Sequence, residues 1–303
     1  MGVNSRAGSR TLKTSDFAPR SIPVSVIVLT KNESANIGHT LRQLSPFDDV
    51  IVVDSDSTDD TRQIASSQGA RVVLFEWNGQ YPKKKQWSLE NTGATHDWVL
   101  LLDADEYPTA DLVREIDALV RSGALATGPD AYDIQLSYRF AGRILRFGHR
   151  VSKRSLLNKH TVRFPEVGDL DAPGIREVEG HYQPQGCEEP GQAQAALIHD
   201  DRDPVSTWFE RHNRYSDWEA HLRRNRAVRR QVAALRSDRG ARFDSVPGKP
   251  VLFFLYSYFV KLGFLDGRAG LDYALALSMY YWQISVKVRE KSQGGAETSA
   301  RRS

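Results

Sequence analysis

At 303 residues, with 40% apolar and 26% charged side chains, the chain holds enough material for one large domain or for a domain with an appendage. A formal net charge of +3 is too small to mark a nucleic-acid binder, and a lone cysteine, Cys187, excludes an internal disulfide framework and fits a reducing compartment. Residues 1–20 carry scattered Arg and Lys but no apolar h-region, so no secretory signal is expected and the protein is assigned to the cytoplasm.

Those first twenty residues are polar and aperiodic and read as a disordered tail. From 21 to 200 the chain reads as one α/β unit. Residues 24–29 (Val-Ser-Val-Ile-Val-Leu) make a buried-strand pattern, followed by an amphipathic stretch over 34–44. Strands at 50–53, 71–75 and 98–102 are each followed by a helical pattern, over 58–68, 83–91 and 111–120 respectively. This alternation predicts a Rossmann-like, mainly parallel sheet with flanking helices.

Ligands of such sheets sit beyond the carboxyl ends of the strands. The polar groups there are Thr30-Lys31-Asn32-Glu33, Asp54-Ser55-Asp56-Ser57, and Asp103 with Asp105. Downstream, residues 133–137, 143–145, 161–164 and 175–178 read as short strand pieces among loops. Residues 203–235 read as helix, with Trp208, Tyr215, Trp218 and Leu222 near one face and arginines crowding 223–242. An aromatic stripe at that spacing is read as core before it is read as a sugar platform. Residues 251–288 form two aromatic-rich helical stretches joined at 263–270, neither with about 18 uninterrupted apolar residues, so a membrane span is not expected. The helical region 201–291 is therefore either interfacial, touching a membrane surface, or buried against the rest of the protein. Residues 292–303 read as a second disordered tail.

The most specific feature is Trp-Val-Leu-Leu-Leu-Asp-Ala-Asp-Glu at 98–106, a buried run ending in two carboxylates one residue apart. Asp103 and Asp105 would repel each other unless a cation sat between them. Oxygen ligation of that kind suits Mg²⁺ or Mn²⁺ holding a substrate diphosphate. The plainer reading is that they cap the helix beginning near Thr109.

Val-Ser-Val-Ile-Val-Leu-Thr-Lys-Asn-Glu at 24–33, Val-Val-Asp-Ser-Asp-Ser-Thr-Asp at 52–59 and Leu-Leu-Leu-Asp-Ala-Asp-Glu at 100–106 together resemble glycosyltransferase family 2 in order and spacing. Phe-Ala-Gly-Arg at 140–143, His199, Asn-Arg-Tyr-Ser at 213–216 and Gly-Phe-Leu-Asp-Gly at 263–267 resemble its lipopolysaccharide-core β-glucosyltransferase branch. The resemblance implies a GT-A fold, a nucleoside-diphosphate sugar donor (a UDP-sugar before others), Mg²⁺ or Mn²⁺, and inversion at the anomeric carbon. It would put Thr30, Asn32 and Glu33 around the nucleoside, with Asp54 accepting from the base and Asp56 beside it. Lys84 and Lys85 would face the diphosphate, although Gln86-Trp87 follows them where the family has Arg-Asn. Asp103 would face ribose or cation, Asp105 would ligate the metal, and His199 would be a third ligand.

Inversion in one displacement requires a base opposite the leaving diphosphate, on a different element from Asp103 and Asp105. The stretch Arg-Glu-Val-Glu-Gly-His at 176–181 offers Glu179 first, then Glu177 and His181, in an order altered from the branch's Val-His-Glu. The function expected is an inverting, metal-dependent hexosyltransferase acting on a lipid-linked or cell-envelope glycan, in peripheral contact with the cytosolic membrane face. The alternative is a catalytically idle GT-A-like scaffold that binds sugar nucleotide or membrane. A haloacid-dehalogenase-like phosphatase is disfavoured, because Tyr107 stands where it needs Thr or Val.

Overall fold

The computed structural model describes residues 20–170, 177–179, 183–225 and 248–300. The alternating half folds as β1 (Ile22–Thr30), α1 (Ile37–Gln43), β2 (Phe47–Asp54), α2 (Thr61–Ser67), β3 (Arg71–Leu74), α3 (Lys84–Asn91) and β4 (Trp98–Asp103). A short β5 (Glu106–Pro108), α4 (Ala110–Arg121) and α5 (Ala124–Thr127) come next. Then follow β6 (Ala131–Phe140), β7 (Arg143–Ile144), β8 (Ser152–Asn158), β9 (Gly191–His199) and α6 (Val205–Arg224). Two last helices, α7 (Lys249–Leu255) and α8 (Gly267–Ala300), are separated by a π turn (Tyr256–Val260) and a 3-10 turn (Gly263–Asp266).

Among the described residues the strands form one nine-stranded sheet in the order β3-β2-β1-β4-β8-β6-β9-β5, with β7 paired to β6. Strands β1 to β4 are parallel. Beyond β4 the sheet is mixed: β8 is antiparallel to β4 and β6, β9 is parallel to β6, and β5 is antiparallel to β9. The α/β class with flanking helices holds, and the parallel run β3-β2-β1-β4 ends at Asp103, about a third of the way along the chain.

Strand β1 is apolar over most of its length, with Ser25 and Thr30 buried and hydrogen-bonded, because both of its faces are covered. Val24, Val26 and Val28 pack with Ile37, Leu41, Leu112 and Ile116 on one side, and Ile27 and Leu29 pack with Phe75, Leu89, Val99 and Leu101 on the other. Fully burying each such side chain contributes about 1.5–3 kcal/mol. That burial makes β1 and β4 the rigid centre from whose tips the polar loops project. Helix α4 starts on Thr109, whose Oγ1 accepts from the Leu112 N–H at 3.2 Å. With that cap in place, Asp103 and Asp105 are not needed to start the helix, although Asp105 does lie in the turn between β4 and β5.

Several expectations are corrected. Residues 161–164 form no strand; Arg163 alone bridges Gln185. Strands β8 and β9 were not anticipated, because Lys153 and Arg154 give β8 a solvent-like pattern although both are partly buried in ion pairs. The predicted strand at 175–178 and the helix beyond residue 225 fall largely outside the described residues, as do the Arg-rich stretch and the N-terminal tail. Helix α8 runs through residue 292 to Ala300. Its polar end keeps helix formers such as Lys291, Ala296 and Glu297, and extending a helix already nucleated costs little. On α6, Trp208 stacks on His212 at 3.5 Å and packs against Phe140, while Trp218 packs near Val167 and Leu222. The aromatic stripe is packing.

Candidate active site

Parallel pairing sets Thr30 beside Asp54 and Leu29 beside Asp103, so the tips of β1, β2 and β4 share one edge. The loops beyond β1 and β2 are laced together. The N–H groups of Asn32, Glu33 and Ser34 donate to Ser57 Oγ (2.8 Å), Thr61 Oγ1 (2.8 Å) and Asp59 Oδ2 (3.0 Å), and Thr58 N–H donates to Asn32 Oδ1 at 2.8 Å. Asn32 and Asp56 adopt left-handed φ values of 57° and 52°, which short polar residues tolerate best. Asp56 is exposed.

Asp54 is fully buried; its Oδ1 accepts from Ser57 N–H at 2.8 Å and its Oδ2 from Thr30 Oγ1 at 2.9 Å and from Ser57 Oγ. As placed, this carboxylate holds the two loops together rather than facing a base in the cleft, which corrects its expected role. Glu33 does look toward the acidic edge. Burial raises its carboxyl to about 7 against a hydrogen bond from Asn36 at 2.9 Å, and Asp105 and Asp203 push the same way as burial.

Three of the predicted groups support the edge from behind. Lys84, 1% exposed, donates from Nζ to the Thr30 carbonyl at 2.6 Å, and burial lowers its pKa to about 8. It pins the end of β1 and does not reach outward to a diphosphate. Glu179, also buried, accepts from Lys85 N–H at 2.8 Å and from Gln86 N–H at 2.9 Å, satisfying donors that the first turn of α3 leaves unpaired. In this arrangement Glu179 caps α3. Glu177 receives Lys31 at 3.3 Å and its carbonyl accepts from Lys84 N–H at 2.7 Å. His181 lies outside the described residues. Lys85 is partly buried near Asp103; burial lowers its pKa while Asp103 and Glu179 work the other way.

The acidic edge is completed from the second half of the chain. Strand pairing brings His199 opposite Glu106 and beside Tyr138. His199 Nε2 lies 3.5 Å from Asp105 Oδ2 and Nδ1 lies 3.6 Å from Glu106 Oε1. Lys153 from β8 reaches Asp103 Oδ2 at 3.0 Å and Glu106 Oε2 at 2.5 Å. Against its burial, Asp103 is held well below the usual carboxylate range by Lys153 and Lys85. Asp105 has no lysine; burial raises it to about 6 against the pull of His199, with Asp103 and Glu106 adding to the rise. Against its own burial, His199 is raised to about 9 by Asp105, Glu106 and Asp103.

Among the described residues the buried Nδ1 of His199 faces Glu106 without a close hydrogen bond. Its Nε2 is the nitrogen beside Asp105; once deprotonated, it and the Asp105 carboxylate would offer one nitrogen and one oxygen donor, a set that Mn²⁺ accepts readily. Among the described residues no group of three such side chains is assembled. The other coordination positions would fall to phosphate oxygens and water, the usual partners of Mg²⁺ in nucleotide sites. Asp103 turns one carboxylate oxygen to Lys153.

One residue beyond His199, the buried Asp200 gathers Arg202 (2.7 Å), Arg139 and Tyr107 (3.4 Å). These arginines wall a cleft of about 350 Å³ together with Ala141, Gly142, Asp201, Asp203 and Val205. Arg211 pairs with both Asp201 and Asp203. Sequence reasoning missed Glu106, Lys153, Tyr138 and the Asp200 network. Glu106 had a signal, since it directly follows Asp105; Lys153 had none, because only the unforeseen β8 brings it to the edge.

The sequence profile described as "Glycosyl transferase family 2" matches residues 25–169. An uncharacterized glycosyltransferase of Rickettsia prowazekii is 40% identical over 100 residues, which is 33% of this chain and 33% of that protein. The chain therefore spans about a third of the length of that relative. The lipopolysaccharide core biosynthesis glycosyltransferase LpsC of Rhizobium meliloti is 23% identical over 282 residues, 88% of this chain and 95% of that protein. Glucosyl-3-phosphoglycerate synthase of Mycobacterium tuberculosis, solved with Mn²⁺, UDP and glucosyl-3-phosphoglycerate, is 32% identical across 39% of this chain and 44% of that chain, with a TM-score of 0.30. At that score the likeness is partial.

Proposed function

We propose that this chain, which carries a glycosyltransferase family 2 domain over residues 25–169, moves a hexose from a nucleoside-diphosphate sugar to a lipid-linked or cell-envelope glycan at the cytosolic membrane face. The transfer inverts the anomeric centre and uses a divalent cation. The observation that carries the reading is Asp105 beside His199, 3.5 Å apart, at the edge where the tips of β1, β2 and β4 meet. These two would hold Mg²⁺ or Mn²⁺, which when bound supplies Lewis-acid relief of the charge building on the leaving diphosphate.

The rest of the work belongs to the chain. The laced loop at 30–34 walls the nucleoside side, held in place by Asp54 and Lys84. Lys153 fixes Asp103 and Glu106, so the edge keeps its shape between turnovers. Lys85, at the start of α3, adds positive charge beside Asp103, where a diphosphate would lie. Fixed charges in a cleft shielded from water act more strongly than the same charges in bulk solvent. The acceptor enters the cleft beside Arg139 and Arg202. Its hydroxyl, far too weak an acid to ionise alone, needs a carboxylate there. Asp203, 36% exposed against 7% for Asp201, is the better placed of the two that line it.

A panel of nucleotide sugars, UDP-sugars first, tests the reading by melting temperature and by hydrolysis or transfer. A productive donor with Mn²⁺ raises the melting point, because it binds only the folded state. Asp105→Asn is expected to lower turnover by about 100-fold or more while keeping the fold. A donor that stabilises the protein but is never turned over leaves the idle scaffold. If no donor shifts the melting point, the reading fails.

A further inference from the structure

We infer that the bend between α7 and α8 is a monotopic anchor that seats an apolar tip in one leaflet of an anionic bilayer. The tip points its largest apolar groups outward. Val260 is 68% exposed, Phe259 53% and Leu265 53%, with Leu262 and Phe264 above 40%. A contiguous patch of that kind on a folded chain marks a surface that meets something other than water.

The exposure does not come from a loose backbone. Gly148 N–H donates to the Lys261 carbonyl at 2.8 Å, His149 N–H to Ser257 Oγ at 3.1 Å, and Arg146 and Phe147 N–H to the Asp266 carboxylate at 3.0 and 2.8 Å. Gly263 and Gly270 let the chain close on itself, since a Cβ on Gly270 would strike the Gly263 carbonyl. Leu262 is held at a φ of 59°, a left-handed conformation unfavourable for a branched side chain. A tightly bonded, locally strained turn thus holds leucine, valine and phenylalanine in solvent.

Dimensions set the depth. Lys249–Val260 and Gly263–Glu290 together have the hydropathy of a membrane segment but bend by 70° at the break, and among the described residues no single helix is long and apolar enough to cross. The first arm, α7 with its π turn, is twelve residues long. At 1.5 Å per residue it reaches roughly 18 Å, well short of a hydrocarbon core of roughly 30 Å. It enters one leaflet and does not span.

Charge selects the lipid. Lys261 at the tip, Arg268 beside it, and Arg143 and Arg146 on the loop bonded to it are all exposed. Two acids lie nearby: Asp272 pairs with Arg268 at 3.2 Å and Asp266 accepts backbone N–H groups, so Lys261, Arg143 and Arg146 leave the rim net positive. A cationic rim around an apolar tip suits anionic phospholipid. It opposes a second copy of this chain, whose identical rim would meet it across a two-fold contact. The anchor also lies close to the cleft, because Tyr138 packs between His199 (5.2 Å) and Tyr273 of α8 (5.9 Å). The inference deepens the acceptor side of the proposed function, but it stands on residues outside that site.

Co-sedimentation of the full chain with vesicles of phosphatidylethanolamine and phosphatidylglycerol, and separately of phosphatidylcholine, tests it. Binding to the anionic vesicles, weakened by added salt, is expected. Phe259→Asp with Val260→Asp should lower the partition coefficient about tenfold or more, with circular dichroism and melting temperature unchanged. Arg143→Glu with Arg146→Glu should weaken binding to the anionic vesicles without removing the tip. Wild-type protein left in the supernatant with both lipids overturns the inference. So does a concentration-dependent dimer that Val260→Asp dissociates while vesicles bind nothing, since a second copy would then be the occupant. Donor turnover without vesicles is measured in parallel, so failure of the anchor and failure of the transfer reading are separately visible.

Discussion

Replacing Glu179 with Gln alters a carboxylate that is 4% exposed and accepts from Lys85 N–H at 2.8 Å and Gln86 N–H at 2.9 Å. Hydrogen bonds to a charged group contribute about 1.5–3 kcal/mol each. The amide keeps one accepting oxygen and turns an NH₂ toward the other donor, so about 2 kcal/mol should be lost. For a chain of 303 residues that is a fall of about 3 °C in melting temperature. Burial already raises the Glu179 carboxyl, so a neutral amide recovers part of the desolvation cost and the figure is an upper value. Glu179→Ala, which removes both acceptors, should roughly double the loss. Helix α3 carries Lys84 and Lys85, so its fraying is expected to raise KM for the donor more than it lowers kcat. A general base would behave in the opposite way, with kcat falling about 10²–10⁴-fold and the melting point steady. Melting curves and steady-state kinetics of both variants distinguish the two. A kcat loss beyond about 100-fold at an unshifted melting temperature would refute the capping assignment.

Glu33 gives a pH signature. Its carboxyl titrates at about 7 in the fold against 4.5 ordinarily, so the native state keeps a proton that the unfolded chain releases. The stability from this group is complete below about pH 4.5 and is lost as pH rises through 7, at most about 3 kcal/mol. Glu33→Gln should therefore raise the melting point at pH 8 and flatten its dependence across that window; an unchanged slope refutes the assignment. Lys83 and Asp169, each 1% exposed and 3.0 Å apart, form a buried pair. Lys83→Met should cost about 3–5 kcal/mol by denaturant unfolding, and adding Asp169→Leu should recover part of it. No recovery would mean that packing, not charge, carries the loss. Lys153→Met leaves Asp103 and the buried Glu106 without their lysine. Its melting point should fall, and Mn²⁺ should raise it by more than in the wild type; an equal Mn²⁺ effect in both argues against one shared cluster of charge.

The first half of the fold was legible because its strands are buried on both faces and its loops are not. Continuous runs such as Val26-Ile-Val-Leu29 and Leu100-Leu-Leu102 can be nothing else in a chain of this composition, and their tips locate the site. The second half was obscure for the converse reason. In β8, Lys153 and Arg154 are charged yet partly buried, each neutralised by a carboxylate distant in sequence, and a linear reading cannot tell a paired charge from a solvated one. The same blindness hides that Glu179 and Lys84, whose residue types suit catalysis, are buried and bonded to backbone. His199 was found only through the resemblance, because nothing local marks it; Glu106, its strand partner, was passed over although it adjoins Asp105.

The pairing of Glu106 with His199 joins positions 93 residues apart, whereas β1 to β4 lie within the first third of the chain. Closing so long a loop is entropically costly and comes late relative to local pairing. A nascent chain emerging from the ribosome can therefore shape its nucleoside edge while still lacking the imidazole. Competence would arrive in one step with β9, and truncated or stalled products would be unable to consume activated sugar.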